Sequence, residues 1–268
     1  MSAPAAQVSF VGAGPGAPDL LTLRAARVLA SADIVFTDAL VHPDTLAIAS
    51  RAVIIDVGKR EGLPSTRQAF INRSLVEAAR RYARVVRLKG GDPAIFGRLD
   101  EEIASLHAAG VACEIIPGVT SVSAAAADLG LPLTCRGIAR RLVMVTPRVG
   151  ERETAEDWAE GLKPTDTLAI YMGRRQAGRV QARLLAIGFA RTTPVAVVEG
   201  ASLSDCRRLR GTLAELPELA RATGTGPVIM LVGEVLARTA ADQATAPVQH
   251  ADAAPAALAM RSAHPAAW

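Results

Sequence analysis

Short apolar runs, each brief enough to suit a strand, alternate with helix-length amphipathic segments along most of this chain, and that alternation calls for an α/β fold. QVSFV, ADIVF, AVIIDV, RVVRLK and ACEIIP come first, with helical segments between them. After PLT the pattern restarts with RLVMVT, DTLAIYM, PVAVVE, RRLRGTL and PVIMLVG, and helices separate most of these. Strands that alternate with helices favour a largely parallel sheet. The reading is two α/β domains with mostly parallel or mixed five-stranded sheets, over residues 1–117 and 118–238. The second helical segment opens with a capping-box pattern, Ser65 to Gln68. Residues 239–268 are rich in Ala and Pro with no apolar period, and read as a mobile tail.

A chain of 268 residues, 50% of them apolar, has enough material for a sizeable core. Cys113, Cys135 and Cys206 lie far apart with no C-x-x-C pair, which suggests neither a zinc site nor a disulfide framework. The expectation is a reduced, cytoplasmic protein without a metal. MSAPAAQVSF carries no basic segment followed by an apolar run, and no later stretch approaches the roughly 20 apolar residues of a membrane span. No membrane partner is expected. The net charge of +4 rests mostly on arginine, with lysine only at Lys59, Lys89 and Lys163, and suits an anionic partner. Aromatic residues make up only 3%, and the arginines are scattered rather than gathered in a phosphate-tracking stripe. That argues against nucleic acid and for a small acidic metabolite.

The stretch VGAGPGAPDLLTLRAARVLA, from Val11, reads as a strand, a glycine-rich turn and a helix. A dinucleotide fingerprint needs its third glycine three positions after the second, and here that position is Ala17. Pro15 stiffens the turn, while Asp38 in VFTDAL could imitate the ribose-binding acid of such a site. The spacing argues against a dinucleotide without removing it.

The companion motifs say more. VGAGPGAPDLLTLRA, TDAL, VGKR, RVVRLKGGDPAIFGR, IIPGVTS, LPLT, YMG and TPVAVVEGAS occur in an order and spacing that resembles the tetrapyrrole methylases, over roughly Val8 to Val235. RLKGGDPAIFGR beside VGKR is the specific part. The resemblance implies S-adenosyl-L-methionine held in a cleft between the two domains, released as S-adenosyl-L-homocysteine, in a homodimer. Carried over position by position, it implies cofactor contacts from Pro15, from Gly90, Gly91 and Asp92, from the apolar Ile95, from Thr120 and Ser121, from Met172, and from the small residue Ala201. It also places Asp38 and Lys59 where the family handles protons.

Each of these residues has a plainer use on its own. Asp38 can cap the turn at DALVHP, Lys59 can pair with Glu61, Thr120 can cap the helix that starts near Val119, Met172 can fill core space, and GGDP can be an ordinary turn.

VGKR followed by STRQAFIN, together with RLKGGDPAIFGR, favours the family branch that acts on uroporphyrinogen III. The implied reaction is methylation at C2 and C7 to give precorrin-2, for cobalamin or sirohaem synthesis. The electron-rich pyrrole carbon is itself the nucleophile, so no serine or cysteine triad is needed. An octacarboxylate substrate suits guanidinium forks, and Arg60, Arg98, Arg136, Arg140 and Arg141 lie near the motifs in sequence. The chain departs from the usual pattern at Cys135, where relatives have histidine, at Leu99 and Asp100 in FGRLDEE, and at VTPRVGE. Those changes fall on substrate-facing loops and leave two other readings open: a methyltransferase acting on a later precorrin, or a tetrapyrrole-binding protein without turnover. There is no room for the dehydrogenase and ferrochelatase half that some relatives carry.

Overall fold

A computed structural model describes residues 7–58, 68–149 and 158–237. The chain runs through β1 (Gln7–Gly12), α1 (Leu23–Ala30), β2 (Ile34–Thr37), α2 (Pro43–Ala47), β3 (Val53–Asp56), α3 (Gln68–Ala79), β4 (Arg84–Lys89), α4 (Leu99–Ala108) and β5 (Ala112–Ile116). It continues through α5 (Ser121–Leu129), β6 (Leu142–Val145), β7 (Thr167–Tyr171), α6 (Ala177–Ala186), β8 (Pro194–Glu199), β9 (Arg207–Thr212), α7 (Leu216–Arg221) and β10 (Val228–Val232). Every apolar run named above contains one strand. Ser65 and the tail lie outside the described residues.

The first sheet has the order β3-β2-β4-β1-β5 with every neighbouring pair parallel. Its central strands are mostly apolar on both faces, as a sheet covered on both sides requires, with Arg87 and Lys89 of β4 as buried exceptions. Phe10, Phe36 and Val85 pack with Leu75 of α3 and Leu106 of α4 on one face. Val11, Val35, Val86 and Leu88 pack with Leu29 of α1 on the other.

The second sheet, β6-β7-β10-β8-β9, is mixed, the other of the two arrangements expected. Only β6 and β7 pair in parallel; β10 lies antiparallel between β7 and β8, and β8 pairs antiparallel with β9. The β8–β9 connection holds only a turn, too short for the crossover a parallel pair needs. One face packs on Leu184 of α6 and Leu216 of α7, the other on Val122 and Ala125 of α5.

Strand direction positions everything that follows. In the first sheet all carboxyl ends emerge at one edge. In the second, β10 runs antiparallel to both of its neighbours, so β7 and β8 point the same way, and β6 runs with them. Segments that follow β6, β7 and β8 therefore share an edge as well.

At the carboxyl end of β8, Glu199 is buried and accepts backbone N–H bonds from Gly224 at 2.7 Å and Gly226 at 2.9 Å. The Gly224 bond most of all, then that of Gly226 and the charges of Arg207 and Arg174, hold its carboxyl below the usual carboxylate range, against the opposing effect of burial. The stability it contributes is therefore present above the unfolded pKa of about 4.3 and lost as pH falls through the lower folded value. Glu199→Gln should lower the melting temperature at pH 7, and melts repeated at falling pH should show the gap to the parent closing below about pH 4.

Candidate active site

Three strands of the first sheet end against one another with no room for side chains. A Cβ on Gly118, after β5, would lie 2.2 Å from the Gly91 carbonyl oxygen, and one on Gly12 would lie 2.6 Å from the Gly118 Cα. Only glycine permits that approach. Beyond it, Gly14 and Gly91 exchange backbone hydrogen bonds of 3.2 and 2.7 Å, which lock the glycine turn to the G-G-D segment. Asp92 completes the lock: one carboxylate oxygen accepts from the Ala94 N–H at 2.8 Å and the other from the Gly118 N–H at 3.1 Å. GGDP is thus a turn, and it also ties the end of β4 to the end of β5.

The two halves of the chain touch at their carboxyl edges. The Ala17 N–H, in the glycine turn, donates to Ser202 Oγ after β8 at 3.0 Å. Thr120 occupies the N-cap position of α5, but its hydroxyl makes no cap; it lies 2.7 Å from the Tyr171 hydroxyl at the end of β7. The Tyr171 ring also packs on Phe96 of the β4–α4 loop, with centroids 5.0 Å apart. Among the described residues, the non-glycine residues with left-handed backbones are Phe96, Arg98, Met172 and Ser202, with φ between 52° and 73°. All four lie in these edge loops. Each such residue costs on the order of 1–3 kcal/mol, and such strain clusters at functional sites. Met172 is 43% exposed, so core filling does not describe it. Ala201 is buried just after β8, and the next residue, Ser202, donates its N–H to Asp128 of α5 at 2.7 Å.

Asp38 follows β2 at the same edge. Its carboxylate receives the Arg87 guanidinium at 2.6 Å, so it does not cap its own turn through the side chain. Arg87 also donates through Nε to Glu102 of α4 at 3.2 Å, and Lys89 Nζ reaches the other Glu102 oxygen at 2.8 Å. Glu102 is fully buried, and Arg87 and Lys89 nearly so. Burial, then repulsion from Arg87, pushes the Lys89 ammonium below its ordinary pKa, while Glu102 and Asp38 oppose the shift. These charges are partners in one network, because an unpaired charge at such depth would cost several kcal/mol.

The structure brings Pro15, Gly90, Gly91, Asp92, Ile95, Thr120, Ser121, Met172, Ala201 and Asp38 to segments that follow strands at these edges. Lys59 and Arg60 lie outside the described residues. Gly58, just before them, packs so closely on Ala39 that a Cβ there would clash with the Ala39 backbone. Arg98 stands at the N-terminus of α4 beside a cavity of about 410 Å³ lined also by Phe96 and Asp100, and pairs with Glu101 at 2.6 Å. Leu99 turns into the core.

Arg140 and Arg141 depart from expectation. They precede β6 and so stand at the opposite edge of the second sheet from Met172, beside a separate cavity of about 290 Å³. Arg141 pairs there with the buried Asp166 at 3.4 Å. Arg136 lies in the exposed turn, bridged by Cys135 and Ala139, that leads to them.

Sequence reasoning missed Arg87, Lys89 and Glu102. The signal was present: two cations at alternate positions of an otherwise apolar central strand share one face and need buried anions. Phe96 and Tyr171 stood inside quoted motifs without a role. Ser202 likewise closes the quoted TPVAVVEGAS without a role, and nothing local marked Asp128.

Sheets whose strands deliver glycine turns and strained loops to adjoining edges define an α/β protein built to present loops around a small ligand. The chain belongs to the family of Tetrapyrrole (Corrin/Porphyrin) Methylases, whose pattern matches residues 7–217. It is 44% identical over 230 residues to the uroporphyrinogen-III C-methyltransferase of Pseudomonas aeruginosa, covering 85% of this chain and 94% of that protein. It is 46% identical over 231 residues to siroheme synthase 1 of Yersinia enterocolitica, covering 86% of this chain and 49% of that protein. The chain thus spans about half the length of the siroheme synthases it matches. The structure of uroporphyrin-III C-methyl transferase from Thermus thermophilus complexed with S-adenyl homocysteine superposes with a TM-score of 0.74 at 39% identity, covering 86% of this chain and 99% of that one.

The Thr120–Tyr171 bond ties the start of α5 to the end of β7 within the second half and should be measurable by itself. Thr120→Val and Tyr171→Phe, made singly and together, should show a coupling energy of about 1 kcal/mol in denaturant unfolding. Additive effects would mean that the bond contributes nothing.

Proposed function

We propose that this protein transfers methyl groups from S-adenosylmethionine to C2 and C7 of uroporphyrinogen III, giving precorrin-2. The observation that carries the reading is the convergence of the G-G-D segment, the glycine turn, Thr120, Met172 and Ala201 on adjoining edges, with Asp38 beside them. Relatives named for C-methylation of this tetrapyrrole support it, and the Thermus one, matched over 99% of its length, was solved complexed with S-adenyl homocysteine. The domains are read as residues 1–117 and 118–238, with the cofactor between them.

The local geometry suits such a cofactor. A Cβ on Gly90 would meet only Leu40, at 3.8 Å, and one on Gly91 only Thr120, at 3.9 Å, so the glycines leave open main-chain surface where a flat ligand can lie. Ile95 and the exposed Met172 offer apolar surface, and the first turn of α5, from Ser121, offers backbone N–H groups. S-adenosylmethionine would supply an electrophilic methyl on a cationic sulfur. The pyrrole carbon attacks that methyl, a C–C bond forms as the C–S bond breaks, and the methylated ring then sheds a proton. Asp38, held by Arg87 and still about one-third exposed, is read as the group that accepts it. Lys59 is read as its partner in proton handling on the resemblance alone, as is the homodimer; a cytoplasmic setting is read from the scattered cysteines.

Arg98, with Arg60, is the candidate grip on the substrate carboxylates. Its guanidinium, half-exposed, is held by Glu101 in a two-point fork of 2.6 and 2.8 Å, and a substrate carboxylate would compete for that fork.

The test is anaerobic incubation with uroporphyrinogen III and S-adenosylmethionine, followed by mass analysis and location of the new methyls. Two methyls at C2 and C7 are expected. Binding of S-adenosylhomocysteine without methylation of this substrate would favour a later precorrin or a non-catalytic binding protein. Asp38→Asn should lower kcat by about 10²-fold or more, with the S-adenosylhomocysteine Kd unchanged. Arg98→Glu should raise the KM for uroporphyrinogen III and leave that Kd alone; equal loss of both would remove Arg98 from the substrate grip.

A further inference from the structure

Beneath Asp38 lies a group of charges that the proposed chemistry does not use. Glu102 projects from α4 with its side chain fully buried, and each of its oxygens has a cation: Arg87 Nε at 3.2 Å on one, Lys89 Nζ at 2.8 Å on the other. Gln68 of α3 adds an amide N–H at 2.9 Å to the oxygen that faces Arg87, and is itself held by Asn72 at 3.0 Å. Arg87 spends its Nε on Glu102, its Nη1 on the Phe36 and Leu88 carbonyls, and its Nη2 on Asp38. Every edge of that guanidinium is therefore fixed.

We propose that Glu102 is a positioning residue for methyl transfer: gripped by Lys89 and Gln68, it orients the Arg87 guanidinium so that Nη2 holds the Asp38 carboxylate in one geometry at the mouth of the site. The inference rests on the reading of Asp38 as the proton acceptor.

Charge counting explains why Lys89 belongs to the device. Arg87 and Lys89 carry two positive charges, Glu102 and Asp38 two negative ones, so the quartet is neutral as drawn. Without Lys89, two carboxylates would compete for one guanidinium and Arg87 could turn wholly toward Glu102. Without the Glu102 charge, two cations would share one carboxylate, and Lys89 Nζ would be drawn toward Asp38. In either case Asp38 loses its fixed orientation although it has not been altered. Restoring neutrality by removing one charge of each sign leaves Arg87 and Asp38 as a simple pair.

The experiment compares the full-length protein with Glu102→Gln, Lys89→Met, the double variant Lys89→Met/Glu102→Gln, and Asp38→Asn. It reads kcat and KM with uroporphyrinogen III and S-adenosylmethionine, the Kd for S-adenosylhomocysteine by calorimetry, and the melting temperature. Each single variant should lose on the order of 10²-fold in kcat, the scale of a misplaced catalytic group, with KM and Kd within about twofold of the parent. The double variant should recover at least about tenfold of that loss, because neutrality and the Arg87–Asp38 pair return. Should Glu102→Gln fail to fold, Lys89→Met and the double variant carry the same comparison. Parental kcat in the single variants while Asp38→Asn is impaired would overturn the positioning role alone. A double variant no better than the worse single one would also overturn it, as would losses in kcat matched by losses in Kd. Parental kcat in Asp38→Asn would overturn the reading of Asp38, and the inference with it.

Discussion

Everything at the candidate site depends on a close contact between backbones. Gly12, Gly91 and Gly118 meet where β1, β4 and β5 end, and a side chain on Gly12 or Gly118 would collide with main-chain atoms of its neighbours. The contact sets how near the glycine turn, the G-G-D segment and the start of α5 lie to one another. Asp92 then fastens the arrangement with hydrogen bonds to backbone N–H groups on two segments. Parallel strands make such a meeting possible, because they deliver their carboxyl ends to one edge; an antiparallel neighbour would have carried the chain away.

The second sheet reaches a comparable result by a different route. It is mixed, yet β10, running antiparallel between β7 and β8, leaves those strands co-directional, so Met172 and Ala201 follow strand ends at the same edge. Ala17 with Ser202 and Phe96 with Tyr171 join the halves, the first by a hydrogen bond and the second by ring packing, while Thr120 holds Tyr171 from within the second half. Strained backbones at Phe96, Arg98, Met172 and Ser202 surround them. The halves are packed for stability by separate apolar cores, while the loops between them carry the strain that a binding site exploits.

Most strands were legible because they are apolar runs ended by Gly, Pro or a charged residue; β9, with three arginines in RRLRGT, is the exception. Their direction in the second half was not, since PVIMLVG would read the same in either sense and only the path of the chain decides. Site residues that directly follow strands, such as Asp38, Gly90 and Met172, could be placed at a common edge from sequence, because the fold class fixes where strand ends go. Arg140 and Arg141 show the limit of that logic. They are close in sequence to LPLT, yet precede a strand, and the strand itself carries the chain to the far edge at about 3.3 Å per residue. The partner of Asp38 was hidden for a different reason: Glu102, Arg87 and Asp38 come from a helix, a strand and a loop, and only packing brings them together.

A crystal structure with S-adenosylhomocysteine shows directly where the ligand binds. The ligand should lie against the main chain of Gly90–Asp92, between the glycine turn and Ala201, with its sulfur toward the Asp38 side of the edge. Density instead in the cavity beside Arg141 and Asp166, or anywhere at the amino edge of the second sheet, would contradict the site described.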